Sequence, residues 1–322
     1  MDDFYRQIIV SRNWRGTSTI TPREEKDIDG NCITTLAKSF LAANLLLATT
    51  AMPSIAGDTR GYVPAPPGTT GVLFYYWHTS GNDRYNNGDK VATDFNLDSN
   101  LQILRQVYYS AFASMPVSVQ ALIPFGDMEV DGASVGNQSF SSSGLADPTI
   151  LFGIWPISNP ATKTWLGVTE WFKFPIGEYD NDRVLNMGAN QWAFKTEVGF
   201  VKGWGDFYLE LTPWVEFYTD NTDYGAAGAT LEKDPIYGLE THLSYDISKA
   251  VLVSLDHYYK KGAETTVATA DMNDETETHS LQVTLGLTLA PKQKLLLQYL
   301  QDLSVENGSE TNRFGVRYTF IF

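Results

Sequence analysis

The last ten residues, 313–322, carry the pattern that most constrains the fold of this chain. Counting back from the terminal phenylalanine, every second position is large and apolar, and the positions between are mostly polar or small. Successive side chains of a β-strand point to opposite faces, so this alternation predicts a strand with one apolar face. Such a strand at a chain end is typical of a membrane-spanning β-barrel, and the alternative is the edge strand of a soluble sandwich. The apolar positions, which a barrel would turn toward lipid, are Phe314, Val316, Tyr318, Phe320 and Phe322.

The rest of the chain contains further segments of this kind, which bring the count to twelve. Most reach the roughly 9–11 residues that a tilted membrane strand needs, and no apolar run of about 18 residues outside the amino-terminal region suggests a membrane helix. Arg105 and Glu170 interrupt the pattern, because each shares a strand face with apolar residues. The predicted strands are 71–79, 97–113, 115–125, 146–157, 162–175, 191–202, 206–219, 235–247, 250–261, 278–290, 293–304 and 311–322.

The connections between these segments alternate between short and long, the last long one being 305–310. Outer-membrane barrels show this asymmetry, with short periplasmic turns and long extracellular loops. The sequence therefore predicts an all-β fold, a closed antiparallel transmembrane barrel of about twelve strands over 71–322. It would lie in the bacterial outer membrane with both termini periplasmic.

The amino-terminal region resembles a secretory signal. An apolar stretch at about 40–52 follows Lys38, and Ser54 and Ala56 supply the small residues that signal peptidase reads. We expect a cleavable signal peptide within a presequence of residues 1–56, and a buried core helix is the alternative. Residues 57–70 are rich in proline and glycine and are predicted to form an irregular periplasmic entry segment.

Charge and cysteine content exclude several classes of function. The formal net charge is −15, and the acidic and basic residues of the presequence balance, so the mature chain keeps this charge. A strongly acidic chain argues against a nucleic-acid partner. The single cysteine, Cys32, precedes the apolar stretch, so the mature chain would have neither a disulfide nor a thiolate metal site.

Several short stretches in a fixed order resemble one family of proteins, the outer-membrane transporters of the MetA-pathway of phenol degradation. The resemblance covers about residues 65–322. It implies an outer-membrane barrel of a family often found with genes for the degradation of aromatic compounds. The stretches are 144–149 (GLADPT), 174–179 (FPIGEY), 186–192 (NMGANQW), 217–221 (FYTDN), 232–235 (EKDP), 298–303 (QYLQDL) and 312–315 (NRFG).

The strand faces opposite the predicted lipid side contain the candidate functional residues. An exposed charge at mid-bilayer is costly, so charged side chains should point into the lumen. A lining of charges and aromatic rings could guide an amphipathic aromatic solute, or it could fill the barrel as structural packing. The predicted lumen residues are Lys195, Glu197, Tyr208, Glu210, Glu240, His242, Asp256, Tyr258, Arg313 and Arg317, and further candidates are Trp171, Trp214, Tyr218 and Lys260.

Many of the other aromatic residues fall near predicted strand ends. Outer-membrane barrels place such residues in girdles at the two membrane interfaces, and ordinary core packing is the alternative. The residues predicted to form the girdles are Tyr76, Trp77, Trp155, Trp165, Trp192 and Trp204.

Enzyme chemistry has little support in the sequence. There is no phosphate loop, zinc-ligand spacing or nucleophile elbow, and we predict no catalytic activity, no cofactor and no metal. A phospholipase-like hydrolase would need a serine–histidine pair, for which His257, His279, Ser280 and Ser309 supply the residue types. Adjacent strand residues point to opposite faces, so His279 and Ser280 could not pair with each other. The acidic loop 269–278 lacks the glycine and spacing of an EF-hand.

The favoured interpretation is a barrel that gives small hydrophobic or aromatic compounds passive passage. The alternatives are a structural or adhesive barrel with a sealed lumen and, less favoured, an outer-membrane phospholipase-like hydrolase. The expected partners are outer-membrane lipid, lipopolysaccharide, a small hydrophobic or aromatic solute and the barrel-assembly machinery. Phe322 would be the assembly signal that this machinery reads.

Overall fold

A computed structural model describes residues 57–322, and its regular structure is almost entirely β. The predicted signal peptide and Cys32 lie outside these residues. In chain order the strands are β1 (Thr70–Asn86), β2 (Asp89–Ala92), β3 (Asn96–Phe112), β4 (Met115–Asp131), β5 (Phe140–Leu145), β6 (Thr149–Asn159), β7 (Thr164–Lys173), β8 (Ala193–Trp204), β9 (Phe207–Tyr218), β10 (Asn221–Tyr224), β11 (Ala229–Lys233), β12 (Ile236–Asp246), β13 (Val251–Gly262), β14 (Thr265–Val267), β15 (Ala270–Asp271), β16 (Thr276–Ala290), β17 (Gln293–Val305) and β18 (Gly308–Ile321).

Twelve of these strands form a closed antiparallel barrel. Going round the wall, the order is β1, β3, β4, β6, β7, β8, β9, β12, β13, β16, β17 and β18. The last strand then pairs with the first, with Gly71 opposite Ile321 and Tyr76 opposite Val316. The predicted fold class and strand number are therefore confirmed, and closure leaves no unpaired edge in the wall.

The two ends of the barrel differ in their connections. At one end, here called the short-turn end, strands are joined by 113–114, 160–163, 205–206, 247–250 and 291–292, and β1 begins and β18 ends there. At the other, the long-loop end, most connections are long. The exception is the link between β17 and β18, which was predicted as a long loop and is the two-residue turn Glu306-Asn307.

The remaining strands lie at or beyond the long-loop end. Strand β2 pairs with β1 and β5 pairs with β4, so both extend the wall. Strands β10, β11, β14 and β15 form a separate four-stranded sheet from the connections after β9 and β13. A single 3-10 turn, Ala133–Val135, lies in the connection after β4. No helix within residues 57–322 is long and apolar enough to cross a membrane.

Side chains alternate between the inside and the outside of the wall, as the strand period requires. The outward positions expose large apolar groups, including Phe74, Leu104, Phe152, Leu243, Val283 and Phe314. The two residues that interrupted the predicted pattern have different explanations. Arg105 points inward and donates from Nη1 to the hydroxyl of Tyr75 at 3.2 Å. Glu170 points outward, where the Thr196 hydroxyl donates to its Oε2 at 2.7 Å.

Candidate functional site

The lumen has two chemically distinct walls, which we call the apolar wall and the polar wall. The apolar wall consists of β1, β3, β4, β6 and β7, and the polar wall consists of the other seven barrel strands. Among the buried charged residues of the barrel strands, only Arg84 lies on the apolar wall. The others are Lys195, Glu197, Glu210, Glu216, Glu240, His242, Asp256, Asp302 and Arg313.

Most inward apolar side chains of the apolar wall form one buried cluster, and Trp155 and Trp165 form a second one with Tyr62 and Val201. Side chains from the long-loop end, including Phe95 and Leu185, pack against the first cluster and extend it. Burial of this apolar surface is the main stabilising contribution on this side of the lumen. The wall residues of the first cluster are Leu73, Tyr75, Trp77, Leu97, Leu101, Ile103, Val107, Leu122, Met128, Val130, Leu151 and Trp171.

A hydrogen-bonded charge network occupies the centre of the polar wall. His242 lies between two carboxylates, with its Nδ1 3.0 Å from Asp256 and its Nε2 3.5 Å from Glu240. All three side chains are buried. Asp256 also accepts hydrogen bonds from Thr284 at 2.9 Å and from Gln282 at 3.2 Å. Buried charges require partners of this kind, because their removal from water is costly.

Neighbouring strands continue this pairing of charges. Lys195 lies 2.5 Å from Glu197 on the same strand face, and Lys173 lies 3.0 Å from Glu216. Many of the buried charges of the polar wall are therefore paired.

Cations lie over aromatic rings at both seams where the two walls meet. At the seam of β18 with β1, the guanidinium carbon of Arg313 is 4.3 Å from the centroid of Trp77. At the seam of β7 with β8, the amine of Lys195 is 5.0 Å from Trp171 and 4.5 Å from Trp214. These contacts use the negative faces of the rings and join the apolar wall to the charge network.

Residues 57–69, here called the lumen segment, enter the barrel from the short-turn end, and Asp58, Thr59 and Tyr62 are buried inside it. The backbone N–H of Tyr62 donates to Glu210 at 3.1 Å and its hydroxyl donates to Glu197 at 3.1 Å. The indole N–H of Trp155 donates to the Tyr62 carbonyl at 2.9 Å. The ring of Tyr62 lies directly over Gly199, where a side chain would overlap it.

The start of the lumen segment is held by charged groups as well. Asp58 accepts hydrogen bonds from Tyr75 at 2.9 Å, from Gln298 at 3.1 Å and from Arg317 at 2.5 Å. Near the short-turn end, Arg60 pairs with Asp246 at 2.8 Å. The predicted entry segment is irregular, and it lies within the lumen, where both walls supply partners for its backbone and side chains.

The structure places the predicted lumen residues on the inner face. Lys195, Glu197, Glu210, Glu240, His242, Asp256 and Arg313 are buried there, and Tyr208, Tyr258 and Arg317 are half-buried. Tyr208 stacks on Trp165, with centroids 6.4 Å apart, and the Tyr258 hydroxyl accepts a hydrogen bond from Gln282 at 3.1 Å. All ten thus belong to one lining, and their role as a solute path stays a prediction.

The sequence-based prediction missed the apolar wall and misplaced part of the aromatic set. Trp77, Trp155 and Trp165 are buried in the lumen rather than in an interfacial girdle, whereas Trp192 and Trp204 are exposed outward. The misplaced tryptophans belong to apolar-wall strands, whose inner and outer faces both carry apolar residues. The alternation that marks the inward face is therefore weak there.

The residues considered for hydrolysis do not come together as a serine–histidine pair. Ser280 donates to Asp302 inside the barrel at 2.6 Å. His279 lies on the opposite face, where its Nδ1 is 3.2 Å from Nε2 of His257. Among residues 57–322, no three or more histidine, cysteine, aspartate or glutamate side chains are grouped to hold a metal ion.

Three of the family-like stretches meet at the long-loop end, around the buried carboxylate of Asp147. Its Oδ1 accepts the N–H of Gly177 at 2.9 Å and its Oδ2 accepts the N–H of Ala189 at 2.8 Å. Burial raises the pKa of the Asp147 carboxyl, and the two backbone donors oppose that rise. Gly188 packs directly against Gly177, so the stretches at 144–149, 174–179 and 186–192 form a single loop clamp.

Comparison with known proteins agrees with this architecture. A family model described as "Putative MetA-pathway of phenol degradation" matches residues 80–318. The chain is similar to the COG4313 outer membrane channel from Pseudomonas putida F1, with 30% sequence identity and a TM-score of 0.80. That alignment covers 83% of this chain and 100% of the channel.

Two further solved structures align at much lower identity. The transport unit of the autotransporter AIDA-I from Escherichia coli has 8% identity and a TM-score of 0.48, covering 87% of this chain and 96% of that one. The NanC porin has 8% identity and a TM-score of 0.45, covering 77% of this chain and 98% of that one. No curated protein matches the chain in sequence.

Proposed function

Because this chain belongs to the MetA-pathway phenol-degradation family of bacterial outer-membrane channels, we propose that its barrel gives small hydrophobic or aromatic compounds passive passage. The role is that of a conduit rather than a catalyst. Both termini would lie on the periplasmic side, because short turns and chain ends of such barrels share that side.

The observation that supports this function is the division of the lumen into two walls. An aromatic compound with one polar group can place its ring against apolar side chains such as Trp77 and Ile103. Its polar group can meet the charge network through Arg313, which lies 4.3 Å from the centroid of the Trp77 ring. Sites that bind small molecules commonly combine an apolar lining with a few placed polar groups.

The seams supply the positions where both interactions are available at once. At Arg313 and Trp77, a ring and a cation already lie in contact, and a second ring could stack in the same way. Each contact is individually weak, with cation–π pairs worth about 0.5–2 kcal/mol. Weak successive contacts suit a passive path, because the solute must leave each position as readily as it enters.

A sealed structural barrel is the second candidate, and the lumen segment favours it. The hydrogen bonds of Asp58 and Tyr62 hold this segment across the interior. Passage therefore requires that the segment shift or that the solute move between it and the apolar wall. A barrel in which the segment never moves would serve only through its loops.

Uptake by whole cells tests the proposal. Cells lacking the protein should take up phenol and benzoate from dilute solution more slowly than complemented cells. The difference should disappear at high concentration, and uptake of a small sugar should not change. Equal uptake of all three compounds with and without the protein would favour the sealed barrel.

A further inference from the structure

The backbone nitrogen of Gly57 lies inside the barrel. This nitrogen is 2.8 Å from Oε2 of Glu240, a carboxylate that is 2% exposed. The Tyr258 hydroxyl donates to the Gly57 carbonyl at 3.4 Å, which holds the residue from its other side. A Cβ atom at position 57 would also lie 2.8 Å from Glu240 Oε2, so the carboxylate packs closely against this residue.

The side chains in direct contact with Glu240 and Asp256 do not balance the two negative charges. Glu240 and Asp256 are both buried, and His242 is the single basic side chain in contact with the two of them. Even a fully protonated imidazole neutralises only one of the two carboxylates. Asp256 also accepts hydrogen bonds from several neutral donors, among them the Thr59 hydroxyl at 2.9 Å. Glu240, in contrast, is contacted by the Gly57 nitrogen at 2.8 Å and by His242 at 3.5 Å. A buried carboxylate of this kind calls for a cation.

The sequence supplies a way to produce that cation. Signal peptidase reads small residues at the positions of Ser54 and Ala56, and cleavage after Ala56 would make Gly57 the first residue of the mature chain. An α-amino group ordinarily carries a positive charge at neutral pH. The backbone nitrogen that lies against Glu240 would then be an ammonium with three donors instead of an amide with one.

We propose that cleavage between Ala56 and Gly57 creates an α-ammonium group that pairs with Glu240 inside the barrel and fixes the lumen segment there. In the cleavage, water adds across the peptide bond, which leaves a carboxylate on the released peptide and the amine on Gly57. Together with a protonated His242, the new charge offsets the charges of Glu240 and Asp256. Removal of the presequence thereby gives the lumen segment an anchor that the precursor lacks. This inference goes beyond the proposed passage of solutes and does not depend on it.

The first test is the intact mass of the protein extracted from outer membranes. The expected mass is that of residues 57–322 with a free amino group. A chain that begins at any other residue would overturn the proposal, because the amine would then be displaced from Glu240.

The second test measures whether the amine is shielded by Glu240. The folded protein in detergent is treated with an N-hydroxysuccinimide ester, and the labelled amino-terminal peptide is quantified by mass spectrometry. Labelling should be several-fold slower than in the unfolded chain, and Glu240→Gln should remove most of this protection. Glu306→Gln, which changes an exposed carboxylate at the long-loop end, should leave it unchanged. Equal rates for wild type and Glu240→Gln would overturn the proposal.

Faster labelling of Glu240→Gln could also arise if this variant failed to fold, and a further variant distinguishes the two causes. Insertion of Ala-Ser between Ala56 and Gly57 keeps Glu240 and moves the amine two residues upstream. Its amine should label several-fold faster than that of the wild type while the barrel retains its heat-modifiable migration on gels. Unchanged protection in this variant would contradict the pairing. Neither labelling experiment measures solute flux, so their failure is distinct from failure of the proposed function.

Discussion

Arg313 lies over the indole ring of Trp77, with its guanidinium carbon 4.3 Å from the ring centroid. The two residues belong to the last and first barrel strands, so their contact lies where the barrel closes. It also joins the charge network to the apolar wall. Lys195 makes the equivalent contact with Trp171 at the other seam, at 5.0 Å. The lumen is therefore a chemically divided interior with aromatic rings at both boundaries.

Trp77→Leu should weaken passage of aromatic solutes while leaving the barrel folded. Leucine keeps the site apolar but removes the ring face on which an aromatic solute would stack, a loss of about 1 kcal/mol or roughly a fivefold change in affinity. The effect is measured as the concentration of an aromatic solute that reduces ion conductance through the barrel by half. Trp192→Leu is the matched control, because Trp192 is exposed on the outside. Equal effects of the two variants would argue against a role for the seam.

Gly199→Val should displace Tyr62 and increase ion conductance. A side chain at position 199 would overlap the Tyr62 ring, and overpacking of this kind costs about 1–3 kcal/mol unless the neighbour moves. The backbone and hydroxyl of Tyr62 are both hydrogen-bonded to the wall, so we expect displacement of the ring to shift the lumen segment. Val198→Ala, which changes the adjacent outward residue, should leave conductance as it is. A Gly199→Val protein with wild-type conductance would mean that the lumen segment does not limit ion flow.

Asp147→Ala should loosen the loop clamp at the long-loop end. The change leaves the N–H groups of Gly177 and Ala189 without their acceptor, at a cost of about 1–3 kcal/mol for each group that stays buried. Limited proteolysis should cut the 174–192 connection faster than in the wild type. Asp182→Ala, an exposed change in the same connection, is the control. Equal cleavage rates in the three proteins would refute the clamp.

Lys233 should make the free energy of unfolding increase with pH in the alkaline range. It lies in β11, outside the barrel wall, with its amine 4.3 Å from the ring centroid of Tyr218. Burial lowers the pKa of Lys233 from 10.5 to about 8, against the attraction of Glu216. The unfolded chain therefore holds this proton between about pH 8 and 10.5 while the folded protein does not, so the contribution of Lys233 to stability rises with pH there.

The comparison with Lys233→Met isolates this effect from the titration of other groups. Methionine lacks the charge, so the variant should be more stable than the wild type at pH 7. The difference in free energy of unfolding between the two proteins should become smaller as the pH approaches 10.5. Thermal unfolding in detergent at several pH values measures it. A difference in stability between the two proteins that does not change with pH would show that Lys233 keeps an ordinary pKa.

Strand positions were predictable because alternation and turn residues are local signals. The segment predicted at 250–261 is β13 at Val251–Gly262, and the charged lumen residues followed from the same alternation. The apolar wall could not be recognised in this way, because β3 places Ile103 inward and Leu104 outward and both are apolar. The lumen segment was equally hidden, since the hydrogen bond from Tyr62 to Glu210 joins residues 148 positions apart.

Permeability of liposomes containing the purified protein tests the central claim most directly. Benzenesulfonate and propane-1-sulfonate are both permanently charged, so neither crosses a bare bilayer readily, and they differ in the aromatic ring. Swelling rates should show that benzenesulfonate enters faster than propane-1-sulfonate, and that both enter faster than in protein-free liposomes. Rates for both compounds that match those of protein-free liposomes would contradict a conducting lumen. Equal rates for the two would contradict an aromatic preference.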